Sequence, residues 1–186
     1  GEYSRWILER PGTPGNGQPG AARPLMNKTA RSVHDRRVRR THHAVIDALV
    51  ALVHEKGYDA ITVQDLLARA DIGRSTFYGH YRGKDDLLLT SFEQMLEHLD
   101  AAMGNDPRRL APVRVLFGHV GEFDSFHRAL ARAHMLDRTY QAGTKQLGVT
   151  IERRLAAFGP RPGAAPLPVV AQAWAGALFA LLRWWL

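Results

Sequence analysis

The sequence predicts an all-α protein. Apolar residues recur at helical spacing: Val45, Leu49, Leu52 and Val53 stand at i, i+4, i+7 and i+8, and Leu88, Phe92, Met95, Leu96 and Leu99 repeat the pattern further on. No convincing period-two run interrupts these segments, and no internal repeat is visible. Helix start and stop signals fall between them, which divides the chain into several helices rather than one long one.

Residues 1–34 read as a disordered tail. Residues 11–24 hold four Pro and four Gly, too few apolar groups to offset the entropy of ordering. Gly15, Gly17 and Gly20 formally spell G-x-G-x-x-G. A dinucleotide site needs a strand before that motif and a helix after it, and Pro14 and Pro19 deny both. Met26 is the expected natural start, with residues 1–25 as vector or upstream sequence.

The helical pattern begins near Asp35. It stops at "KGYD", with Lys56 in the last turn and Gly57 suited to the left-handed position past the helix end. Thr62 caps a second, short helix, "TVQDLLARA", and Asp65 three residues on nearly completes a capping box. "DIG" then breaks the chain, "RSTFYGHY" follows, and a long amphipathic helix opens at "RGKDDLLL". Asp85 and Asp86 favour its N-terminus through the helix dipole. Beyond it, helices are expected at about 109–120, 122–140, 143–158 and 167–186.

Composition narrows the function. The 186 residues are 45% hydrophobic, so a core can form, and the absence of cysteine excludes a disulfide scaffold and Cys-ligated zinc. The net charge of +7 favours a polyanionic partner, and the charge is local: +5 in residues 26–43 against −4 in 44–99. The cluster Arg31–Arg40 suits either nucleic-acid contact or a solvated face. The final segment, "VVAQAWAGALFALLRWWL", is interrupted by Gln172 and Arg183 and shortened by Pro166 and Pro168. It falls short of a membrane span of about 20 apolar residues. Its small residues Ala173, Gly176, Ala177 and Ala180 suit close helix contact, within the core or between subunits. The apolar pattern is unfinished at Leu186, so further residues are expected after it.

Residues 62–80 have the layout of a helix-turn-helix. Ala68 is the small residue expected near the helix crossing, with Ile61, Leu66, Leu67, Ile72 and Phe77 packing beneath. Arg74, Ser75, Thr76, Tyr78, Gly79 and His80 then face outward. Arginine can pair with guanine N7 and O6, and threonine can touch a thymine methyl while its hydroxyl reaches phosphate or base. Tyr78 and His80 can donate to phosphate oxygens. Gly79 lets backbone approach DNA closely. Lys84 opens the next helix, where its ammonium and free N–H groups can hold a phosphate, assisted by Arg82.

The stretch Ala44–Leu88 resembles the TetR-type transcriptional regulators. The matching residues are Gly57-Tyr58, Thr62-Val63, Thr76-Phe77-Tyr78, His80-Tyr81 and Lys84 with Leu87. Two positions depart from that pattern. Asp71 stands where glycine is usual, and Gly73 where serine is frequent. Both substitutes are tolerable, since Asp visits the left-handed region and Gly is a fair N-cap. The resemblance implies a helix-turn-helix DNA-binding domain over residues 35–84, followed by a larger helical ligand-binding and dimerisation domain over 85–186. It implies DNA contacts from Gln64, Arg74, Ser75, Thr76, Tyr78, Gly79, His80 and Lys84, and from an arm before the first helix holding Arg36, Arg39, Arg40 and Thr41. Thr62, at the start of its helix, is counted with them.

The expected function is a cytoplasmic, homodimeric repressor released from a palindromic operator by a small-molecule effector. The alternatives are a sequence-indifferent architectural DNA binder, or a ligand-binding protein without DNA binding. Candidate effector-pocket residues are His119, Phe123, Phe126, His127, Met135, Tyr140 and Trp174. His127 and His134, seven apart on one helix, would stand about 10 Å apart, too far for one metal ion. No metal, cofactor or enzymatic arrangement is expected.

Overall fold

In the computed structural model, residues 28–104, 109, 111–159 and 165–186 are described, with side chains from Val38 onward. The expected tail segment 1–27 lies outside them. The described residues form eight α-helices and no strand, as the periodicity predicts.

Helix α1 (Lys28–Lys56) begins ahead of the expected Asp35, and residues 28–34, assigned above to the tail, are helical. The stretch Lys28–Arg40 contains no Gly or Pro to stop a helix. The apolar stripe marks where α1 is buried, not where it starts. That stripe, from Val45 to Val53, lies in the core. Helices α2 (Val63–Ala70) and α3 (Arg74–Tyr78) follow, then α4 (Lys84–Met103). Leu88, Phe92, Met95, Leu96 and Leu99 of α4 are all buried.

The second half holds α5 (Val113–Glu122), α6 (Asp124–Arg132), α7 (Met135–Ala156) and α8 (Leu167–Trp185). Three boundaries differ from the sequence reading. The helix expected at about 109–120 begins only at Val113, after Pro112. The expected helix 122–140 breaks at Ala133–His134, where His134 takes a left-handed φ of 55°. His127 and His134 therefore do not share a helix. The expected break near Gly143 is absent, and α7 runs straight through it. A Cβ there would stand 2.5 Å from the Phe179 ring and 2.6 Å from that of Phe92. The glycine lets two aromatic rings press on the α7 backbone, and the surrounding packing offsets its poor helix propensity.

Helices α7 and α8 form the most extensive pair, followed by α4 with α7 and α1 with α2. Gly143 meets Phe179 and Gly148 meets Gln172, so α7 and α8 run antiparallel. Helices α4 and α7 run parallel, tied at both ends. Arg138 donates to Asp85 at 2.8 Å near their starts. Near their ends, Arg153 and the buried Arg154 both hold the Asp100 carboxylate, and Arg154 also donates to the Gly104 carbonyl at 2.9 Å.

By length and composition α8 could cross a membrane. One of its faces is nonetheless part of the core, through Ala171, Ala175, Leu178, Phe179 and Leu182. The small residues Ala173, Ala177 and Ala180 lie on the exposed side, so their close contact is not an internal one.

Candidate nucleic-acid interface

The helix-turn-helix is built by local signals that the chain supplies in sequence. Gly57, at φ 76°, turns α1 off with its N–H bonded to the Val53 carbonyl. At Thr62 the capping box is complete: its hydroxyl accepts from the Asp65 N–H, and the Asp65 carboxylate accepts from the Thr62 N–H at 2.7 Å. Lys56 and Thr62 hold the Asp65 carboxyl well below the usual carboxylate range. Asp71 takes the left-handed conformation at φ 52°, which the departure from glycine made a point of interest. Gly73 is the extended N-cap of α3, and its carbonyl accepts from the Phe77 N–H.

Packing then sets which residues face out. Val63, Leu66, Leu67 and Ala70 form the inward row of α2 at i, i+3, i+4 and i+7. Ala68 falls off that row and is exposed, so Ala70, not Ala68, is the small residue turned to the core. On α3, Phe77 is fully buried, with the Tyr78 and Tyr81 rings each 5.4 Å from it. Arg74, Ser75, Tyr78, Gly79 and His80 are exposed, and Thr76 is half-buried. Gln64 on α2 is exposed as well. Thr62 is exposed too, but its hydroxyl is spent on the cap.

The basic segment expected as an arm is part of α1. Arg39 and Arg40 are exposed on it, Thr41 is half-buried, and the side chain of Arg36 lies outside the described residues. Lys84 also differs in its setting. Its ammonium donates to the carbonyls of Tyr58, Asp59 and Ile61 at 2.9, 3.2 and 2.9 Å, and sits over the Tyr58 ring. All three ammonium donors can thus be used inside the protein, closing the α1–α2 loop. The N-terminus of α4 has no side-chain cap, so its first N–H groups are left without a capping side chain.

Two polar ties that sequence reasoning missed hold this unit to its neighbours. Tyr58, buried, donates to Asp85 Oδ1 at 2.6 Å, while Asp85 Oδ2 accepts from Arg138 of α7. Burial, then the bond to Asp85, pushes the Tyr58 hydroxyl pKa up. His42 Nδ1 and the Tyr81 hydroxyl share a hydrogen bond of 2.5 Å. Burial, with smaller contributions from His43 and His80, pulls His42 down to about 4. Partners 27 to 53 residues apart leave no local spacing signal.

The candidate pocket residues divide. His119, Phe126, His127, Met135 and Tyr140 are buried in one cluster, with Phe123 half-buried beside His119. Trp174 is 60% exposed, on the flank of the α8 face that buries Ala171 and Ala175, and does not join them.

The family profile described as "Bacterial regulatory proteins, tetR family" matches residues 45–90. The chain is 38% identical over 73 residues to an uncharacterised HTH-type transcriptional regulator, YxbF, of Bacillus subtilis, covering 37% of this chain and 19% of that one. It is 26% identical over 119 residues to the HTH-type transcriptional repressor KstR of Rhodococcus jostii, covering 60% and 56%. The chain thus spans under two thirds of these relatives' lengths. Among solved structures, a TetR transcriptional regulator from Streptococcus agalactiae is similar at a TM-score of 0.50 and 26% identity, over 83% of this chain and 87% of that one. One described as a TetR-family regulator from Syntrophomonas wolfei shares the fold at a TM-score of 0.56 and 17% identity, over 82% and 84%. Residues 45–90 thus match the DNA-binding unit of the TetR family of bacterial regulatory proteins, and the fold as a whole is similar to those of TetR-type regulators.

Proposed function

We propose that the chain is a homodimeric repressor that reads a palindromic operator and is released by a small-molecule effector. The observation that carries this is the exposed row Arg74, Ser75, Thr76, Tyr78 and His80 set over the buried Phe77. A five-residue helix with that row is suited to a major groove, with Gln64, Gly79, Arg39 and Arg40 flanking it. Lys84 acts by holding the loop that positions α2, and the α4 N-terminus meets phosphate.

Selection of bound sequences from random DNA, followed by gel shifts at about 150 mM salt, tests the proposal. Selected DNA should be retarded and scrambled DNA should not. Equal retardation would favour an architectural binder, and none a ligand-binding protein without DNA contact. Arg74→Ala should cost about 1–3 kcal/mol of binding and relax preference at one base pair per half-site. Unchanged selectivity would remove Arg74 from base reading.

The outer face of α8 supports the dimer. Trp174, Leu181 and Trp184 are 60%, 54% and 83% exposed, and Ala173, Ala177 and Ala180 lie among them. An apolar helix face of this kind on a basic, water-soluble scaffold suits a second copy of itself. Ala177→Arg would set like charges against each other across a two-fold axis. It should shift sedimentation to the monomer and abolish operator binding, and an unchanged dimer would move the interface elsewhere.

The buried cluster on α5–α7 supports an effector site. Its link to the reading head runs along α7 to Arg138, Asp85 and Tyr58. An effector that prefers one arrangement of that link shifts the population between binding and released forms.

A further inference from the structure

The second half buries polar groups that its own side chains do not satisfy. His127 of α6 is 1% exposed, and neither ring nitrogen has a hydrogen-bond partner among the described residues. The hydroxyl of Tyr140 on α7, a residue 6% exposed, has none either. The two rings lie beside each other, tilted by 49°, with centroids 6.4 Å apart. Buried polar groups are almost always paired, because leaving them unpaired forfeits their hydration without return.

What surrounds the pair is aromatic. Phe126 meets His127 edge-on at 5.8 Å, His119 does so at 5.3 Å, and Phe92 and Phe179 flank Tyr140 at 6.4 and 5.1 Å. None of these side chains carries a fixed charge. Burial lowers the pKa of His119 and His127, so both imidazoles are neutral at physiological pH. A neutral imidazole offers one donor and one acceptor, and a phenol hydroxyl offers both. The charge felt at His127 is that of Asp124, already paired with Arg128 at 3.4 Å, so a charged guest would lose its hydration there for no unpaired counter-ion. A flat, uncharged guest would keep ring–ring contacts on its faces and edges.

We infer that the His127–Tyr140 cluster takes an uncharged aromatic molecule bearing hydrogen-bonding groups, such as a hydroxyl and a carbonyl, and excludes its anionic and cationic analogues. The inference rests on the reading of this cluster as the effector site. Helix α6, which carries His127, packs on α1 as well as on α7, so a guest wedged at His127 presses on the helix that leads into the DNA-binding unit.

Calorimetry on the full chain with methyl 4-hydroxybenzoate, 4-hydroxyacetophenone, 4-hydroxybenzoate and tyramine tests the charge rule. The two uncharged phenols should bind at least about tenfold more tightly than the carboxylate and the amine, and His127→Phe and Tyr140→Phe should each weaken them by about tenfold, the weight of one lost hydrogen bond. Both variants keep ring shape, and their melting temperatures should hold or rise, which separates lost binding from lost folding. Equal or tighter binding of a charged probe, binding indifferent to both variants, or no binding of either uncharged phenol overturns the inference. Binding as expected that leaves operator affinity unchanged upholds the ligand class and rejects the effector role.

Discussion

In α1–α4, Tyr58 ends on Asp85, Tyr81 on His42 Nδ1, and Lys84 on three carbonyls, although the buried His42 Nε2 has no hydrogen-bond partner among the described residues. In α5–α8, His127 and the Tyr140 hydroxyl end on none among the described residues, and Trp174 and Trp184 stand in solvent. The first region uses most of its polar groups internally and leaves Arg74, Ser75, Tyr78 and His80 exposed, where the proposed DNA contact would use them. The second keeps unused polar groups inside and apolar surface outside. That inversion is what a region needs if its complement is a small guest within and a second subunit without.

The sharpest way to break this comparison is to remove the anchor of the self-contained region. Phe77→Ala should cost about 3–5 kcal/mol, because the ring is fully buried and α3 is too short to hold itself. Urea denaturation checks the cost. If the reading head stands apart from the rest, operator binding should vanish while the helical circular dichroism of α7 and α8 persists. A loss below about 1 kcal/mol would mean that α3 is held by its neighbours rather than by Phe77.

Acid tests both regions at once. Unfolded histidine titrates near 6.5, whereas His42 in the first region and His127 in the second are held at about 4. Between those values the unfolded chain binds more protons than the fold. Stability should therefore be complete above pH 6.5 and fall as the pH drops toward 4, by on the order of 3 kcal/mol for each histidine. His119 beside His127 is held down by burial as well, so His127→Phe should remove one of three such contributions in thermal melts from pH 7 to 4. An unaltered slope would mean that His127 is neutral for no energetic reason.

The smallest effect sharpens the border between structure and recognition. Lys84→Met should lower stability by about 1–3 kcal/mol by leaving the α1–α2 loop carbonyls unpaired. The salt dependence of DNA binding should stay the same. If instead the melting temperature holds and the salt slope falls by about one per subunit, the ammonium is a phosphate contact after all.

Much of the first region is legible in the sequence because its determinants are local. The Gly57 stop, the Thr62–Asp65 box, the left-handed Asp71 and the Gly73 cap each act within four residues of themselves. What the sequence hides there is long-range: nothing near Lys84 or Asp85 tells that they bind Tyr58, Asp59 and Arg138. The second region is harder to read for the same reason. Gly143 resembles a helix boundary until Phe179 and Phe92 are brought against it. Trp174 looks like pocket lining until the phase of α8 is set by Ala171 and Ala175. The cluster His119–Phe126–His127–Tyr140 was assembled from residue type alone, and the fold brings it together.

The parallel pair α4 and α7 has a mechanical consequence. From Arg138 to Arg153 the two clamps on α7 are about 22 Å apart along the axis. A beam fixed at one end can slide to accommodate a local push. A beam fixed at both ends must bend, or carry its mate with it. If the proposed effector acts through α7, weakening the far clamp at Asp100 would dull that response without touching either the effector or the DNA.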